Sequence, residues 1–429
     1  MIQCPHCGNE LEVETAKFCT NCGVNLTKSV HIQTPVTQPI TQKRGVARLS
    51  PSYRPWLIIV GSIVIIGVVF ISIIFVGSYF LSSLFGPPLG SGIEIYSDTD
   101  FLEYSSSGKG TLEDPYILSN YYLIDEFIGF TIQNTTKHFI ITDCTIDMCY
   151  EGIHLENVAP GTANIWGNTI FRQNCWVWET GPHAGITIYS SPGVNVSNNI
   201  IFNAGSEGIL IEGSEECFIA NNKISKQYIG IFVEYSDSIV IHNNTLKACD
   251  EAISCIDSNF TNITGNNCKN NYYTAINIIH SDFVQISNNY CFNTSYSWAS
   301  WFSSGITLDV SSNCTVKNCT IIDSYQGIYA SSTSDCQIYY NRFEDNSEYG
   351  VVITGGWIEG QSNTIFLNSF INNNFDGTSQ ASDNGTSNLW YYPDLAQGNY
   401  WSDWNGTGSY SIAGTANAVD IYPLSEPPV

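Results

Sequence analysis

Four cysteines near the N-terminus have the spacing of a metal site. They form two Cys-x-x-Cys pairs, Cys4 with Cys7 and Cys19 with Cys22, and each pair is followed by a glycine. Two such turns can supply the four thiolates that bind Zn²⁺ tetrahedrally. About 25 residues cannot build a hydrophobic core, so the metal would hold the fold together. The sequence therefore predicts a zinc ribbon over residues 1–26, with a disulfide or redox motif as the alternative.

A second group of residues could bind a carbohydrate. Segments 171–184 and 292–304 are longer than their counterparts elsewhere in the chain and are rich in aromatic residues. Aromatic rings bury the apolar faces of sugars, and carboxylates accept hydrogen bonds from hydroxyl groups. The alternative is that the tryptophans cover the side of the fold or mediate self-association. The predicted glycan-binding residues are Trp176, Trp178, Tyr228, Tyr272, Tyr273, Tyr296, Trp298 and Trp301.

Three carboxylates, Glu207, Asp250 and Glu251, are weak candidates for catalysis. Glu207 and Glu251 are expected in one column of the fold, two coils and about 10 Å apart, which is close to the carboxylate separation of inverting glycosidases. However, the paired aspartates of a polygalacturonase-type site are absent, and no cluster of Lys and Arg suits a uronate lyase. The sequence therefore favours binding over catalysis. A further acidic file is interpreted as a solvated face, with cation binding as the alternative: Glu156, Glu212, Glu234 and Asp309.

These residues are positioned by a repeat of 22 to 23 residues. An Asn column, an apolar column two residues later and a Gly column recur in step between residues 129 and 370. Such a period is typical of a solenoid of short β-coils. Asn tolerates a left-handed turn, and its amide can bond to the amide one coil away. The sequence predicts an all-β, right-handed parallel β-helix of about ten coils over residues 126–374. The Asn column comprises Cys144, Asn168, Asn199, Asn222, Asn244, Asn266, Asn289, Cys319, Asn341 and Asn368.

The rest of the chain divides by composition. Residues 27–55 are basic and are predicted to be a flexible linker, and residues 56–85 contain no charge and exceed the length of about 20 residues that spans a bilayer. Residues 86–125 are interpreted as a linker and N-terminal cap, and residues 375–429 as a C-terminal cap. Basic residues precede the predicted transmembrane helix and the first charge after it is Glu94, so the positive-inside rule predicts a cytoplasmic N-terminus and an extracellular β-helix.

The part beyond the predicted span is acidic. Residues 86–429 contain nine Lys or Arg and 36 Asp or Glu, and this net charge of −27 argues against a nucleic-acid partner. The same part contains eleven cysteines. Two pairs, Cys268 with Cys291 and Cys314 with Cys336, are expected on adjacent coils about 4.8 Å apart, a separation that a disulfide accepts. The alternative is that they are buried thiols that fill an apolar column.

Several segments resemble a known family. The entry segment around Gly108–Tyr116 and the final segment around Gly398–Asp403 are similar to the start and the C-terminal cap of NosD-type β-helix proteins. The resemblance covers residues 94–425. It implies a surface protein of the archaeal type, with a domain of the kind labelled copper-binding or carbohydrate-binding/sugar-hydrolase. The N-terminal segment is similar to zinc ribbons of prokaryotic membrane proteins, which implies an interaction with an unknown cytoplasmic protein.

The function expected from these observations is binding at a cell surface. We expect a single-pass membrane protein whose β-helix binds glycans or envelope polysaccharide outside the cell, with zinc as its cofactor. A membrane-tethered polysaccharide hydrolase or lyase is one alternative. A structural component of the cell envelope is the other.

Overall fold

The computed structural model describes residues 92–172, 184–294, 303–355, 361–374 and 377–428, together with two short N-terminal strands. These two strands, Ile2–Gln3 and Glu10–Leu11, pair antiparallel. The predicted zinc ligands Cys4, Cys7, Cys19 and Cys22, the linker and the apolar segment 56–85 lie outside the described residues. Within the described ranges, no helix has both the length and the apolar character that a membrane crossing requires.

The described part is a right-handed parallel β-solenoid of about ten coils, as the repeat predicts. In one coil, a long strand (Glu207–Glu212) leads through a turn to a strand of the third sheet (Phe218–Ala220). A second turn leads to a short strand (Lys223–Ser225), and a corner returns the chain to the next long strand, Ile229–Glu234. Each strand pairs in parallel with its counterpart in the next coil.

The strands form three parallel sheets. In the first two coils, Tyr122–Gln133 and Thr145–Glu156 run through both the long-strand and the short-strand sheets. The other members of the long-strand sheet are Ile93–Ile95, Ala184–Tyr189, Glu207–Glu212, Ile229–Glu234, Glu251–Ile256, Thr274–Ile279, Ser304–Asp309, Gln326–Ser331, Tyr349–Thr354 and Ala381–Asp383. The other members of the short-strand sheet are Thr169–Phe171, Ile200–Phe202, Lys223–Ser225, Thr245–Lys247, Asn267–Lys269, Tyr290–Phe292, Thr320–Ile322, Arg342–Glu344, Ser369–Ile371 and Tyr400–Trp401. The third sheet comprises Tyr116–Ser119, Phe139–Thr142, Ala163–Trp166, Asn195–Ser197, Phe218–Ala220, Val240–His242, Asn262–Thr264, Gln285–Ser287, Thr315–Lys317, Gln337–Tyr339 and Thr364–Phe366.

The core runs along the axis of the solenoid. The central residue of each short strand points inward, and the ten members of this predicted apolar column are at most 1% exposed. Burial of one large aliphatic side chain contributes about 1.5–3 kcal/mol to the free energy of unfolding. The described part has no long helices, so the stacked columns account for much of its stability. The column comprises Ile146, Ile170, Ile201, Ile224, Leu246, Cys268, Cys291, Ile321, Phe343 and Phe370.

The Asn column forms a buried hydrogen-bond ladder. Asn222 Nδ2 donates to Asn244 Oδ1 at 3.0 Å and to the Val196 carbonyl at 3.0 Å, and Asn222 Oδ1 accepts from the Asn199 backbone N–H at 2.9 Å. The predicted bond between amides of adjacent coils is therefore confirmed. The expected left-handed conformation is wrong by one position: the residue before the ladder Asn has positive φ, for example Asn221 at 57° and Asn243 at 54°. The ladder residue itself is held by its side-chain bonds.

Both ends of the solenoid are covered. At the N-terminal end, the ring of Phe101 in the short helix Phe101–Tyr104 stacks on Tyr116 at 4.9 Å. At the C-terminal end, Trp401 stacks between Phe370 at 4.1 Å and Tyr410 at 4.0 Å. This cap also contains the 3-10 turn Pro393–Leu395 and the antiparallel pair Tyr410–Ser411 and Val419–Asp420. Coil pairing thus extends from Ile93 to Trp401, beyond the range 126–374 assigned from the repeat.

Candidate functional site

The corner between the short-strand and long-strand sheets gathers the described members of the predicted carbohydrate site. The Glu251 N–H donates to the Tyr228 carbonyl at 2.9 Å, and the Tyr273 N–H donates to the Asp250 carbonyl at 2.8 Å. These bonds place Tyr228, Asp250 and Tyr273 on three successive coils, at the same point of each coil. Tyr228 is 56% exposed and Tyr272 is 42% exposed, so their rings are available to a ligand.

The carboxylates of this corner occupy different environments. Partial burial raises the pKa of the Asp250 carboxyl. Glu207 Oε1 accepts a hydrogen bond from Ser206 Oγ at 2.7 Å, and Glu251 Oε2 accepts one from Asn277 Nδ2 at 3.1 Å. Glu207 and Glu251 share one column with Ile229 between them, so their backbones lie two coils, or about 10 Å, apart. The predicted register of the two residues is correct.

The described residues that border the two aromatic insertions lie at this corner. Trp176, Trp178, Tyr296, Trp298 and Trp301 lie outside the described residues. The described chain resumes at Ala184, one coil before Glu207, and at Ser303, one coil after Tyr273. The described residues that follow the two insertions therefore lie at the same corner, five coils apart, as the sequence predicts.

A cluster of one histidine and two glutamates on the long-strand sheet was not identified from the sequence. His154 Nδ1 lies 2.9 Å from Glu151 Oε2, and His154 Nε2 lies 3.6 Å from Glu156 Oε2. Thr187 Oγ1 donates to Glu151 Oε1 at 2.8 Å, and Gln133 Nε2 donates to Glu156 Oε2 at 2.7 Å. Burial alone would lower the pKa of His154, but the hydrogen bonds and charges of the two glutamates outweigh it and raise that pKa.

The geometry of this cluster suits protonation of His154 and does not suit binding of a metal ion. The two nitrogens of His154 face different carboxylates, so the three side chains do not converge on one point as metal ligands must. A spacing of three would put Glu151 and His154 on opposite faces of a regular strand. Gly152 lies between them and the alternation is interrupted there, which explains why the pair is hidden in the sequence.

The acidic file on the long-strand sheet has the predicted register. Glu212 pairs directly with Glu234, and Glu156 and Asp309 occupy the same column in other coils. Burial, together with the charges of Glu212 and Asp257, raises the pKa of Glu234. Among the described residues, no group of three His, Cys, Asp or Glu side chains could hold a metal ion.

A group of basic residues was not identified from the sequence. The structure brings four lysines together on three successive coils of the short-strand sheet and its corner, although they are up to 46 positions apart in the chain. They could have been found by comparing the outward positions of the predicted short strands. These lysines are Lys223, Lys226, Lys247 and Lys269.

The nine described cysteines are free and buried. Cys268 and Cys291 are register partners in the core, as predicted, and the structure has them as thiols that fill the apolar column. Burial raises the pKa of the Cys217 and Cys319 thiols to about 12, so these groups stay protonated. Protonated buried thiols are poor nucleophiles.

Comparison with solved structures finds proteins of low similarity. A double mutant of a periplasmic alginate epimerase is 14% identical with a TM-score of 0.46, over 63% of this chain and 73% of that one. An alginate lyase from Paenibacillus sp. str. FPU-7 is 12% identical with a TM-score of 0.41, over 69% and 99%. PfbA, a surface adhesin of Streptococcus pneumoniae, is 11% identical with a TM-score of 0.40, over 67% and 91%. These similarities are too weak to bear on activity.

Comparison with protein families gives a stronger result. No curated protein sequence matches the chain significantly. The family described as "Periplasmic copper-binding protein (NosD)" matches residues 91–277 and 259–406, which together include nearly all of the solenoid. This match agrees with the resemblance of the entry segment and the C-terminal cap. The chain belongs to the NosD family.

Proposed function

We propose that the β-helix binds a glycan chain at the corner between the short-strand and long-strand sheets. The observation that carries the proposal is the row of Tyr228, Asp250 and Tyr273 on successive coils, with Tyr272 beside it. The exposed rings of Tyr228 and Tyr272, two coils apart, can stack on sugars of one chain, and the Asp250 carboxylate on the coil between them can accept hydrogen bonds from the sugar hydroxyl groups. The insertions that contain the five aromatic residues would form the two walls.

The proposal is tested with the full-length chain. A glycan array identifies a ligand, and Tyr228→Ala/Tyr272→Ala should then weaken its binding by about 1–3 kcal/mol, because stacked aromatic anchors contribute that much. The matched control is Tyr96→Ala/Tyr122→Ala, which removes two tyrosines that are 50% and 70% exposed at the N-terminal end. Equal loss in both variants, or no loss in either, would place the ligand elsewhere.

The wall residues allow a second test. Trp178→Ala/Trp298→Ala should lower affinity for the same glycan and leave the thermal midpoint unchanged, since the insertions lie outside the coil register. A collapse of the midpoint would mean that the tryptophans pack against the solenoid and that the groove does not exist.

Hydrolysis is a second candidate because of one observation. Glu207 and Glu251 share a column with their backbones about 10 Å apart, and long side chains at this spacing can bring their carboxyl groups to the separation of about 6.5–9.5 Å found in inverting glycosidases. Turnover of a glycan that is abolished by Glu207→Gln and by Glu251→Gln would establish an enzyme. Undiminished binding in both variants without any turnover would support a binding protein.

The family description names copper, but the described side chains do not fit a copper site. Cu(II) sites use convergent imidazole ligands and Cu(I) sites use accessible thiolates or thioethers. His138, His154, His242 and His280 belong to separate coils, and the described thiols are buried in the core.

The N-terminal region completes the proposal. We infer that Cys4, Cys7, Cys19 and Cys22 bind one Zn²⁺, that residues 56–85 cross the membrane once, and that the β-helix lies outside. The support is the cysteine spacing, the uncharged 30-residue run and the basic residues that precede it. Protease added to intact cells should remove the β-helix and spare an N-terminal tag. Digestion of that tag from outside would reverse the orientation.

A further inference from the structure

The short-strand sheet has an unusual charge distribution. Four of the nine Lys and Arg residues in the acidic region 86–429 lie on three successive coils of this sheet or in the adjoining corner. From Thr169–Phe171 to Thr320–Ile322, seven consecutive short strands contain no carboxylate. This face is therefore locally positive on a domain that is strongly negative.

The lysines approach one another. Lys247 and Lys269 are register partners, so their backbones are about 4.8 Å apart, and Lys223 is one coil from Lys247. Like charges on directly opposite residues of neighbouring strands are destabilising. Within the part of the chain that the structure describes, none of the four lysines forms an ion pair. Their mutual repulsion would be relieved by an external anion.

Aromatic rings lie at both ends of the lysine row. One outward column reads Phe202, Ser225, Lys247, Lys269 and Phe292 on five successive coils, a length of about 19 Å. Phe202 is 38% exposed and stacks on Phe171, and Lys269 Nζ lies 5.0 Å from the ring centre of Tyr290. The surface therefore offers positive charge at its centre and ring faces at its ends.

We propose that this lysine surface, formed by Lys223, Lys226, Lys247 and Lys269, binds a linear anionic polysaccharide that carries carboxylate or sulfate groups. Such a chain supplies negative charges at regular intervals for the ammonium groups and apolar sugar faces for the flanking rings. A row of charges along a rigid β-sheet matches an extended polymer better than it matches a single small anion. Lys226 borders the tyrosine corner, but Lys223, Lys247 and Lys269 lie on the short strands, so this proposal does not depend on glycan binding at the corner.

The test uses the full-length chain in nanodiscs of neutral lipid. Polygalacturonate and dextran sulfate are the carboxylate and sulfate probes, and unsubstituted dextran is the neutral control. We expect binding to at least one charged polymer and none to dextran. Binding should weaken as salt rises from 0.1 M to 1 M, since the screening length falls from about 10 Å to about 3 Å. Equal binding of dextran would overturn the proposal.

Two variants distinguish the effect of the lysine surface from the effect of the net charge of the protein. Lys223→Gln/Lys226→Gln/Lys247→Gln/Lys269→Gln should weaken polymer binding at least tenfold. The control removes four positive charges elsewhere, with Lys109→Gln/Lys137→Gln/Lys317→Gln/Arg342→Gln, and should change binding less than twofold. Equal loss in the two variants would show that only net charge matters. If the first variant does not fold, the pair Lys247→Gln/Lys269→Gln should still weaken binding several-fold.

Two further binding measurements identify the class of ligand. Tyr228→Ala/Tyr272→Ala should leave binding of the charged polymer unchanged, so a failure of the corner proposal is distinguishable from a failure here. Phosphatidylglycerol vesicles should not compete with the polymer. Binding of such vesicles that requires the same lysines, with no polysaccharide binding, would overturn the proposal and assign the surface to lipid.

Discussion

One position of the Asn ladder is naturally interrupted. The contribution of a ladder bond to stability can therefore be measured both by restoring the bond there and by removing it elsewhere. Cys319 occupies the ladder position between Asn289 and Asn341, where its sulfur lies 3.9 Å from Asn289 Nδ2. Elsewhere an Asn oxygen accepts this bond at about 3.0 Å, as Asn244 does from Asn222. Asn289 Nδ2 donates to the Ile263 carbonyl at 2.8 Å, but sulfur is a weak acceptor, so the second N–H of this buried amide is poorly satisfied. Replacement of Cys319 by Asn should restore a continuous ladder.

The expected effects have opposite signs. Cys319→Asn should raise the free energy of unfolding by about 1–2 kcal/mol, because it provides a strong acceptor to a buried donor. Asn244→Cys copies the defect at an intact position. There the backbone N–H and Nδ2 of Asn222 both lose their oxygen acceptor, so we expect a loss of about 2–4 kcal/mol.

Urea unfolding in reducing buffer measures both variants. Solenoid coils can unfold separately, so the dependence on urea must stay the same in each variant for the comparison to hold. A loss of stability in Cys319→Asn as large as that in Asn244→Cys would refute the reasoning. It would mean that the coil at Cys319 is shaped around sulfur and that the ladder bonds do not set the stability there.

Three further predictions concern other sites. His154 has a raised pKa in the fold, so its contribution to stability is complete below about pH 6.5 and is lost as pH rises through that raised value. Unfolding measured at pH 6 and pH 9 should show this loss in the wild type, and a similar loss in His154→Gln would contradict it. Asp420→Ala should lower the thermal midpoint more than Asp420→Asn, because Asp420 accepts hydrogen bonds from N–H groups of Asn399, Trp401 and Tyr422. Equal midpoints in the two variants would argue against these bonds. Elemental analysis of the full-length chain should give one zinc per chain, and retention of that zinc in Cys7→Ser/Cys22→Ser would exclude the ribbon.

The sequence predicts the columns of this fold well because the period is nearly constant. The buried Asn and Ile positions follow from it, as does the corner at which the described residues after both insertions lie. Position along a column also gives the coil separation of Glu207 and Glu251. These properties depend only on backbone register, which each coil copies from the one before it.

Features that depend on side-chain direction were harder to predict. Gly152 interrupts the alternation of its strand, so the contact between Glu151 and His154 does not follow from their spacing. The left-handed residue is Asn221 and not the ladder Asn222, although both are asparagines. The lysine surface combines residues from three coils whose individual strands each contain a single lysine. Such features emerge only when the coils are superimposed in register.

The Asn ladder also has a direction. Each side-chain amide donates toward the C-terminal end and accepts from the N-terminal side, so the ladder is a head-to-tail chain of hydrogen bonds. After Asn399 the next acceptor is Asp420, whose carboxylate takes the backbone N–H of Asn399 at 2.7 Å. A carboxylate can accept such a bond but has no proton to donate, so the chain of hydrogen bonds ends at Asp420. A second molecule therefore meets no ladder donor at this end, which protects a stack of parallel strands from growing into a fibre.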